Sequence, residues 1–114
     1  MDQITQYKQA VRKVVEYIAS ISPSDEKVET QLIIDEDRGH YLLYSVGWEN
    51  GDYREYSAFA HIDVKPTGKV YIQHDGTDLK IALLLNEEGI PKSDIVLAFK
   101  APYRRKHMKE FATA

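Results

Sequence analysis

The chain contains no cysteine. This absence excludes disulfides, Cys-based zinc sites and thiol nucleophiles, and nothing in the chain requires an oxidising compartment. Long apolar runs are also missing, since no stretch approaches the roughly 18 to 20 residues of a membrane span. The first residues lack the basic start of a signal peptide. We therefore expect a cytoplasmic protein that contacts no membrane.

Net positive charge is absent too, because the formal net charge is −3. Proteins that coat nucleic acid bind mainly by neutralising phosphates, which this balance does not favour. The charge is unevenly placed, however: five cations and no acid lie between residues 100 and 109, so the rest of the chain carries −8. These cations, here called the basic tail, are Lys100, Arg104, Arg105, Lys106 and Lys109. The basic tail predicts a local contact with DNA or an acidic partner, with a solvated run of charges as the alternative.

The composition of the 114 residues, 43% hydrophobic and 29% charged, is typical of one folded domain spanning the whole chain, 1–114. Between residues 2 and 21 apolar side chains recur every three or four positions, which predicts a long amphipathic helix. The helix should end near Ser22-Pro23, because the residue before a proline avoids the helical conformation.

Alternation of apolar and polar residues predicts strands at 28–34, 41–48, 53–64 and 69–74, joined by short turns. A second helix is expected after Asp78, with Gly89 as its carboxyl-terminal cap. The apolar run 95–99 is a further predicted strand, and the chain after Pro102 should form one helical turn. The predicted fold class is therefore α+β: a mainly antiparallel sheet, made of a four-strand meander and a C-terminal strand, packed with a long N-terminal helix and a second helix.

Four residues near the predicted third turn have side chains that bind zinc, manganese or magnesium. They are His61, Asp63, His74 and Asp75. A three-residue turn after Lys65 would place Asp63 opposite Tyr71 and His61 opposite Gln73. It would place His74 opposite Ala60, on the other face of the sheet. Because the two histidines cannot share an ion in that register, we expect no metal and no cofactor, and side chains satisfied by hydrogen bonds.

A second candidate chemistry is nucleic-acid cleavage, because Asp63-Val64-Lys65 matches the acid-x-Lys half of a restriction-type nuclease signature. The acids that could complete it, Asp35, Asp37 and Asp52, all lie in predicted turns, where aspartate is common for other reasons. The sequence contains no phosphate-binding glycine loop and no convincing Ser-His-Asp triad. We therefore predict no catalytic residues.

Five aromatic residues fall in the predicted sheet: Trp48, Tyr53, Tyr56, Phe59 and Tyr71. They could stack on the bases of single-stranded nucleic acid. Neighbouring acids, among them Glu49, Asp52 and Glu55, would repel phosphate. An interface between proteins is the better interpretation, and we expect a homodimer that forms through part of the sheet.

Two runs in the second half, 71–78 and 89–99, resemble a paired family signature. The same pattern includes Val46-Gly47-Trp48 and His61-Ile62-Asp63, and near the end of the chain Pro102, Arg105, Phe111-Ala112 and Ala114. Together they resemble the fdxN-element excision controlling factor family (XisI), over nearly the whole chain. Tyr71, Asp78 and Ala101 depart from it, since members usually carry Trp, Glu and His at these positions.

The resemblance implies an accessory factor for programmed excision of a DNA element, which acts with an XisH-like protein and a site-specific recombinase and is not itself an enzyme. Its signature positions, of unknown role, are Gln73, Asp75, Gly76, Thr77, Gly89, Ile90, Pro91, Lys92, Asp94 and Arg105. Two alternatives remain open: direct DNA binding through the basic tail, and a metal-dependent nuclease centred on Asp63 and Lys65.

Overall fold

The computed structural model describes residues 2–113, which form one five-stranded sheet with helices. In chain order the elements are α1 (Gln3–Ile21), β1 (Val28–Asp35), β2 (His40–Glu49), β3 (Tyr53–Val64), β4 (Val70–Asp75), α2 (Ile81–Glu87), a 3₁₀ turn (Lys92–Asp94), β5 (Ile95–Leu97) and α3 (Pro102–Arg105). The spatial order of the strands is the chain order. β1 to β4 pair antiparallel, and β5 joins β4 in parallel after the crossover through α2. The predicted α+β architecture is confirmed.

Helix α1 forms where the apolar periodicity predicts it. The carboxylate of Asp2 caps its first turn by accepting a hydrogen bond from the Thr5 N–H at 2.8 Å. The residues on its buried face are Tyr7, Val11, Val14, Val15 and Ile18. They pack against inward-facing residues of β2, β3 and β4, such as Leu43, Ile62 and Ile72, and form one hydrophobic core with α2. No helix within residues 2–113 is long and apolar enough to span a bilayer.

The opposite face of the sheet, here called the open face, carries the alternate residues of the same strands. Because Ile62 and Val64 point into the core, His61 and Asp63 point to the open face. Tyr71 of β4 lies opposite Asp63, and His40 of β2 lies opposite it on the other side. The open face therefore brings together polar residues from three adjacent strands.

The predicted register of the β3–β4 hairpin is correct at its turn and wrong beyond Ile72. Asp63 pairs with Tyr71 as expected, but a bulge then inserts Gln73 as an extra residue. His61 therefore lies opposite His74, not Gln73, and Asp75 takes the place opposite Ala60. The bulge accompanies a close contact just after β4, where the N–H of Gly76 bonds the carbonyl of Phe59 at 2.7 Å.

A second bulge shifts the β2–β3 pairing between Leu43 and Tyr44. Beyond it the two strands continue to a turn in which Asn50 and Gly51 have φ angles of 53° and 83°, the positive values expected for an Asn-Gly turn. Two other boundaries differ from prediction. α2 begins at Ile81 because Lys80 adopts a left-handed conformation, and β5 ends at Leu97 where the chain turns.

Candidate functional site

Asp63 is the one charged side chain that is buried within residues 2–113, with 5% of its surface exposed. A buried carboxylate is costly unless it is paired and hydrogen-bonded. Three side chains meet this requirement. His40 Nδ1 and His61 Nε2 lie 2.6 and 2.9 Å from the same oxygen, Oδ1, and Gln73 donates to Oδ2 at 3.1 Å. We call these four residues the His–Asp cluster.

Three strands position the His–Asp cluster. His61 lies two residues before Asp63, so both side chains share one face of β3. His40 is the first residue of β2 and pairs directly with Asp63. Gln73 reaches Asp63 because the β4 bulge offsets it from the regular register. The cluster therefore depends on the β2–β3 pairing and on the bulge together.

The carboxylate of Asp63 is held in its ionised form. Burial acts to raise the pKa of Asp63, but hydrogen bonds from His40 and Gln73 and the neighbouring His61 outweigh it, so the pKa is lowered. The imidazoles of His40 and His61 remain 43% and 32% exposed. The cluster therefore presents a fixed anion at its base and two imidazoles toward solvent.

The sequence prediction included His61 and Asp63 but missed His40. His40 is 23 residues from Asp63 in the chain, and only the pairing of β2 with β3 brings them together. The predicted meander contains the signal, because the short turn at 49–52 makes β2 and β3 antiparallel and so places the start of β2 beside the end of β3. His74 and Asp75 lie outside the group: His74 is exposed, and Asp75 accepts hydrogen bonds from Thr77 and from the Ile81 N–H.

The acid-x-Lys hypothesis requires a second acid near Asp63, but within residues 2–113 the structure places two histidines there instead. Among residues 2–113, the side chains that could share a metal ion are His40, His61 and Asp63. The carboxylate of Asp35 does not take part, because it accepts hydrogen bonds from the N–H and the guanidinium of Arg38. The Lys65 ammonium lies 5.3 Å from the centre of the Tyr71 ring. The structure therefore offers a mixed imidazole and carboxylate site, unlike the paired acids of that nuclease signature.

The five aromatic residues do not form one platform. Phe59 packs against the core, and Tyr71 lies on the open face. At the far end of the β2–β3 hairpin, Trp48 and Tyr56 are 51% and 63% exposed. The guanidinium of Arg54 lies 5.3 Å from the Trp48 ring and 5.4 Å from the Tyr56 ring. We call Trp48, Tyr53, Arg54 and Tyr56 the aromatic tip.

The basic tail divides into two parts. Arg105 bonds the chain itself, donating to the carbonyls of Lys100 at 2.8 Å and Thr113 at 3.2 Å. Arg104, Lys106 and Lys109 are exposed, and the ion pairs formed within residues 2–113 include none of the three. Within the basic tail, these three side chains are therefore the ones most open to an external anion, although Arg104 also donates a hydrogen bond to the Tyr103 hydroxyl at 3.2 Å.

Comparison with known proteins identifies the family. The model of the XisI protein family matches residues 1–113. The chain belongs to the XisI family. The crystal structure of a XisI-like protein from Anabaena variabilis ATCC 29413 has a TM-score of 0.90 and 39% identity, over 97% of this chain and 99% of that one.

A second solved XisI family structure is the fdxN element excision controlling factor XisI from the same organism. Its TM-score is 0.86 and its identity 33%, over 99% of this chain and 100% of that chain. No curated protein matches the chain significantly. The sequence resemblance to the XisI family is thereby confirmed over the whole fold.

Several XisI signature positions shape the connection from β4 to α2. Asp75 accepts hydrogen bonds from the N–H and hydroxyl of Thr77 and from the Ile81 N–H, at 2.6 to 2.9 Å. A Cβ at Gly76 would lie 2.9 Å from the Phe59 carbonyl oxygen, closer than real Cβ contacts. These positions stabilise the backbone rather than form a surface.

The remaining XisI signature positions hold the carboxyl-terminal segment in place. Gly89 has a φ of 101°, which ends the α2 turn, and Ile90 behind it is fully buried. Pro91 starts the 3₁₀ turn with an extended ψ of 145°. Lys92 pairs with Glu110 at 3.0 Å. Of the ten signature residues, Gln73 is the one that belongs to the His–Asp cluster.

Asp94 joins three separate parts of the XisI fold. Its carboxylate accepts hydrogen bonds from the Tyr7 hydroxyl and the Gln3 amide of α1, and from the Lys69 ammonium at 3.0 Å. Burial and this contact raise the pKa of Tyr7 to about 12, so its hydroxyl remains a donor. The hydrogen bond from Tyr7 lowers the pKa of Asp94, and the hydrogen bond and positive charge of Lys69 lower it further. Together they outweigh partial burial, which acts to raise it.

Stability should therefore depend on pH through Asp94. Because its pKa is lower in the folded than in the unfolded chain, its contribution is present above about pH 4 and is lost as the pH falls through the folded value. We expect Asp94→Asn to cost about 1 to 3 kcal/mol at pH 7, and the difference from the wild type to shrink below pH 4. Urea unfolding between pH 2 and 7 measures this.

The control for Asp94 is Asp37→Asn, which changes an exposed aspartate in the β1–β2 turn. It should leave the pH dependence as it is in the wild type. A difference between wild type and Asp94→Asn that stays constant down to pH 2 would show that the carboxylate charge is not what stabilises the fold.

Proposed function

We propose that this chain controls the excision of a DNA element as a non-enzymatic accessory protein that binds an XisH-like protein and so acts with a site-specific recombinase. Membership of the XisI family over residues 1–113 carries the proposal. The similar protein named as an fdxN element excision controlling factor supports the role in excision. Its alignment with 99% of this chain leaves no part of the fold outside the comparison.

The aromatic tip is the surface on which we place the XisH-like partner. Tryptophan, tyrosine and arginine are the residues that most often dominate the binding energy of protein interfaces. The guanidinium of Arg54 lies over the rings of both Trp48 and Tyr56, so two cation–π contacts favour one arrangement of these side chains before a partner binds. Ordering before binding lowers the entropy lost on association.

Co-expression with an XisH-like protein from the same genome tests the proposal. We expect the two chains to purify together, and a mass determination of the complex to give a fixed stoichiometry. If this chain elutes alone as a homodimer while the XisH-like protein is folded and present, the partner proposal fails.

Direct DNA binding is a second candidate function, favoured by the exposed Arg104, Lys106 and Lys109. Each phosphate contact contributes about 0.9 to the slope of log affinity against log salt. Replacing the three with alanine should therefore lower duplex DNA affinity and reduce that slope by up to about 3. Fluorescence anisotropy with a labelled duplex, at several salt concentrations, measures both quantities.

The matched control for DNA binding removes three exposed or partly exposed cations outside the tail that, like the tail cations, form no ion pair within residues 2–113: Lys8, Lys27 and Lys80. The net charge changes equally in the two variants. If both lose affinity to the same extent, attraction is general and the basic tail is not a DNA site. Arg105 is left unchanged, because its hydrogen bonds hold the carboxyl-terminal segment in place. If it were replaced, a loss of DNA affinity could result from altered folding of that segment.

A further inference from the structure

The His–Asp cluster has the composition of a metal site. His40, His61 and Asp63 each offer one ligand atom, and the three atoms lie within 4.8 Å of one another. They come from two paired strands, which fix the backbone positions of all three residues. We propose that these three side chains bind one Zn²⁺ ion on the open face of the sheet.

The donor atoms favour zinc over the hard divalent cations. Two imidazole nitrogens and one carboxylate oxygen are a common zinc ligand set, and sites with three protein ligands keep the fourth position for water. Calcium and magnesium prefer oxygen ligands throughout. Since the chain has no cysteine, the site belongs to the nitrogen and oxygen class.

To bind zinc, the three ligand atoms must move only slightly apart. Ligands bound to zinc at 2.0 to 2.1 Å in a tetrahedron lie about 3.3 Å apart. The two histidine nitrogens now lie 2.6 and 2.9 Å from Asp63 Oδ1, as hydrogen-bonding partners. Both imidazoles are partly exposed, so small ring movements separate the three atoms without disturbing the core.

Gln73 acts as a positioning residue for this site. Its amide donates to Oδ2 of Asp63 at 3.1 Å, which directs the other oxygen, Oδ1, toward the two histidines. Partners of this kind orient metal-binding carboxylates, and their loss lowers metal affinity by about 10- to 100-fold. The β4 bulge, which the alternation pattern does not reveal, therefore has a use: it supplies this hydrogen bond.

Calorimetric titration with Zn²⁺ alone tests the proposal on the purified chain. We expect one equivalent bound, with the ion replacing the hydrogen bonds from the two histidines to Asp63. Affinity should fall about 10- to 100-fold in Gln73→Ala and at least as far in His61→Ala. The control His74→Ala/His107→Ala removes two exposed histidines outside the cluster and should bind as the wild type does. Binding that is lost in this control and kept in His61→Ala would overturn the site.

A second measurement needs no variant and so does not depend on variant folding. In a Zn²⁺ titration followed by NMR, the ring proton signals of His40 and His61 should move together until one equivalent is reached. Those of His107, which lies outside the sheet, should stay in place. Unchanged signals from His40 and His61 at saturating Zn²⁺ would rule out the site. Both tests stand whether or not the XisH-like protein proves to be a partner.

Discussion

Replacing Trp48 and Tyr56 with alanine is expected to weaken binding of the XisH-like protein by about a thousandfold. Each residue lies at the end of the β2–β3 hairpin and is more than half exposed. Interface residues of this type often contribute 2 kcal/mol or more, and two such losses correspond to about 4 kcal/mol, or about a thousandfold. Since neither belongs to the hydrophobic core, the fold should be retained.

Tyr103→Ala is the matched control for this pair. Tyr103 is 63% exposed, the same as Tyr56, but lies in α3 at the start of the basic tail. Surface plasmon resonance with the immobilised XisH-like protein compares the variants. Equal affinity of the wild type and the double variant would exclude the aromatic tip as the contact. Loss of binding in Tyr103→Ala alone would move the contact to the tail.

Gly39→Ala is expected to cause a large loss of stability, about 3 kcal/mol. Gly39 has a φ of 75°, and an added Cβ would lie 2.4 Å from the carbonyl oxygen of Val64. The positive φ costs an alanine roughly 1 to 2 kcal/mol, and the overlap adds a further 1 to 3 kcal/mol because backbone must move. The carbonyl of Gly39 also accepts the Val64 N–H at 2.8 Å, so this contact would be strained.

The control for Gly39 is Gly51→Ala. Gly51 has a similar φ of 83°, but nothing lies within 4 Å of the added Cβ. It should therefore cost only the conformational part, about 1 to 2 kcal/mol. Urea unfolding of the two variants separates the overlap from the strain in φ. If Gly39→Ala proves at least as stable as Gly51→Ala, the added Cβ does not overlap the Val64 carbonyl. The close approach of Gly39 to the end of β3 would then be contradicted.

Periodicity accounts for what the sequence predicted well. The heptad-like spacing in α1 and the alternation in β3, predicted at 53–64 and found at Tyr53–Val64, both reflect one buried face per element. The two bulges could not be predicted in this way. An extra residue such as Gln73 exchanges the faces of everything after it, and only a contact with another strand shows where the exchange occurs.

The same limit applies to the candidate site. His61 and Asp63 are recognisable in the sequence because a two-residue spacing places them on one face. His40 can be assigned to the site only once the pairing of β2 with β3 is known. Gln73 can be assigned only once the bulge in β4 is known. Most signature residues turned out to shape turns and to hold the carboxyl-terminal segment, which resemblance alone does not reveal. Arg105 shows this clearly, since the sequence places it among the cations of the basic tail, whereas its guanidinium donates to two backbone carbonyls.

The most direct test of the central claim is a count of excised junctions. In a strain that carries the DNA element with its recombinase and XisH-like protein, quantitative PCR across the rejoined site compares cells with and without this chain. We predict that junctions disappear without it, return with the wild type or Tyr103→Ala, and do not return with the Trp48→Ala/Tyr56→Ala variant. Junctions formed equally in the absence of this chain would contradict its role in excision.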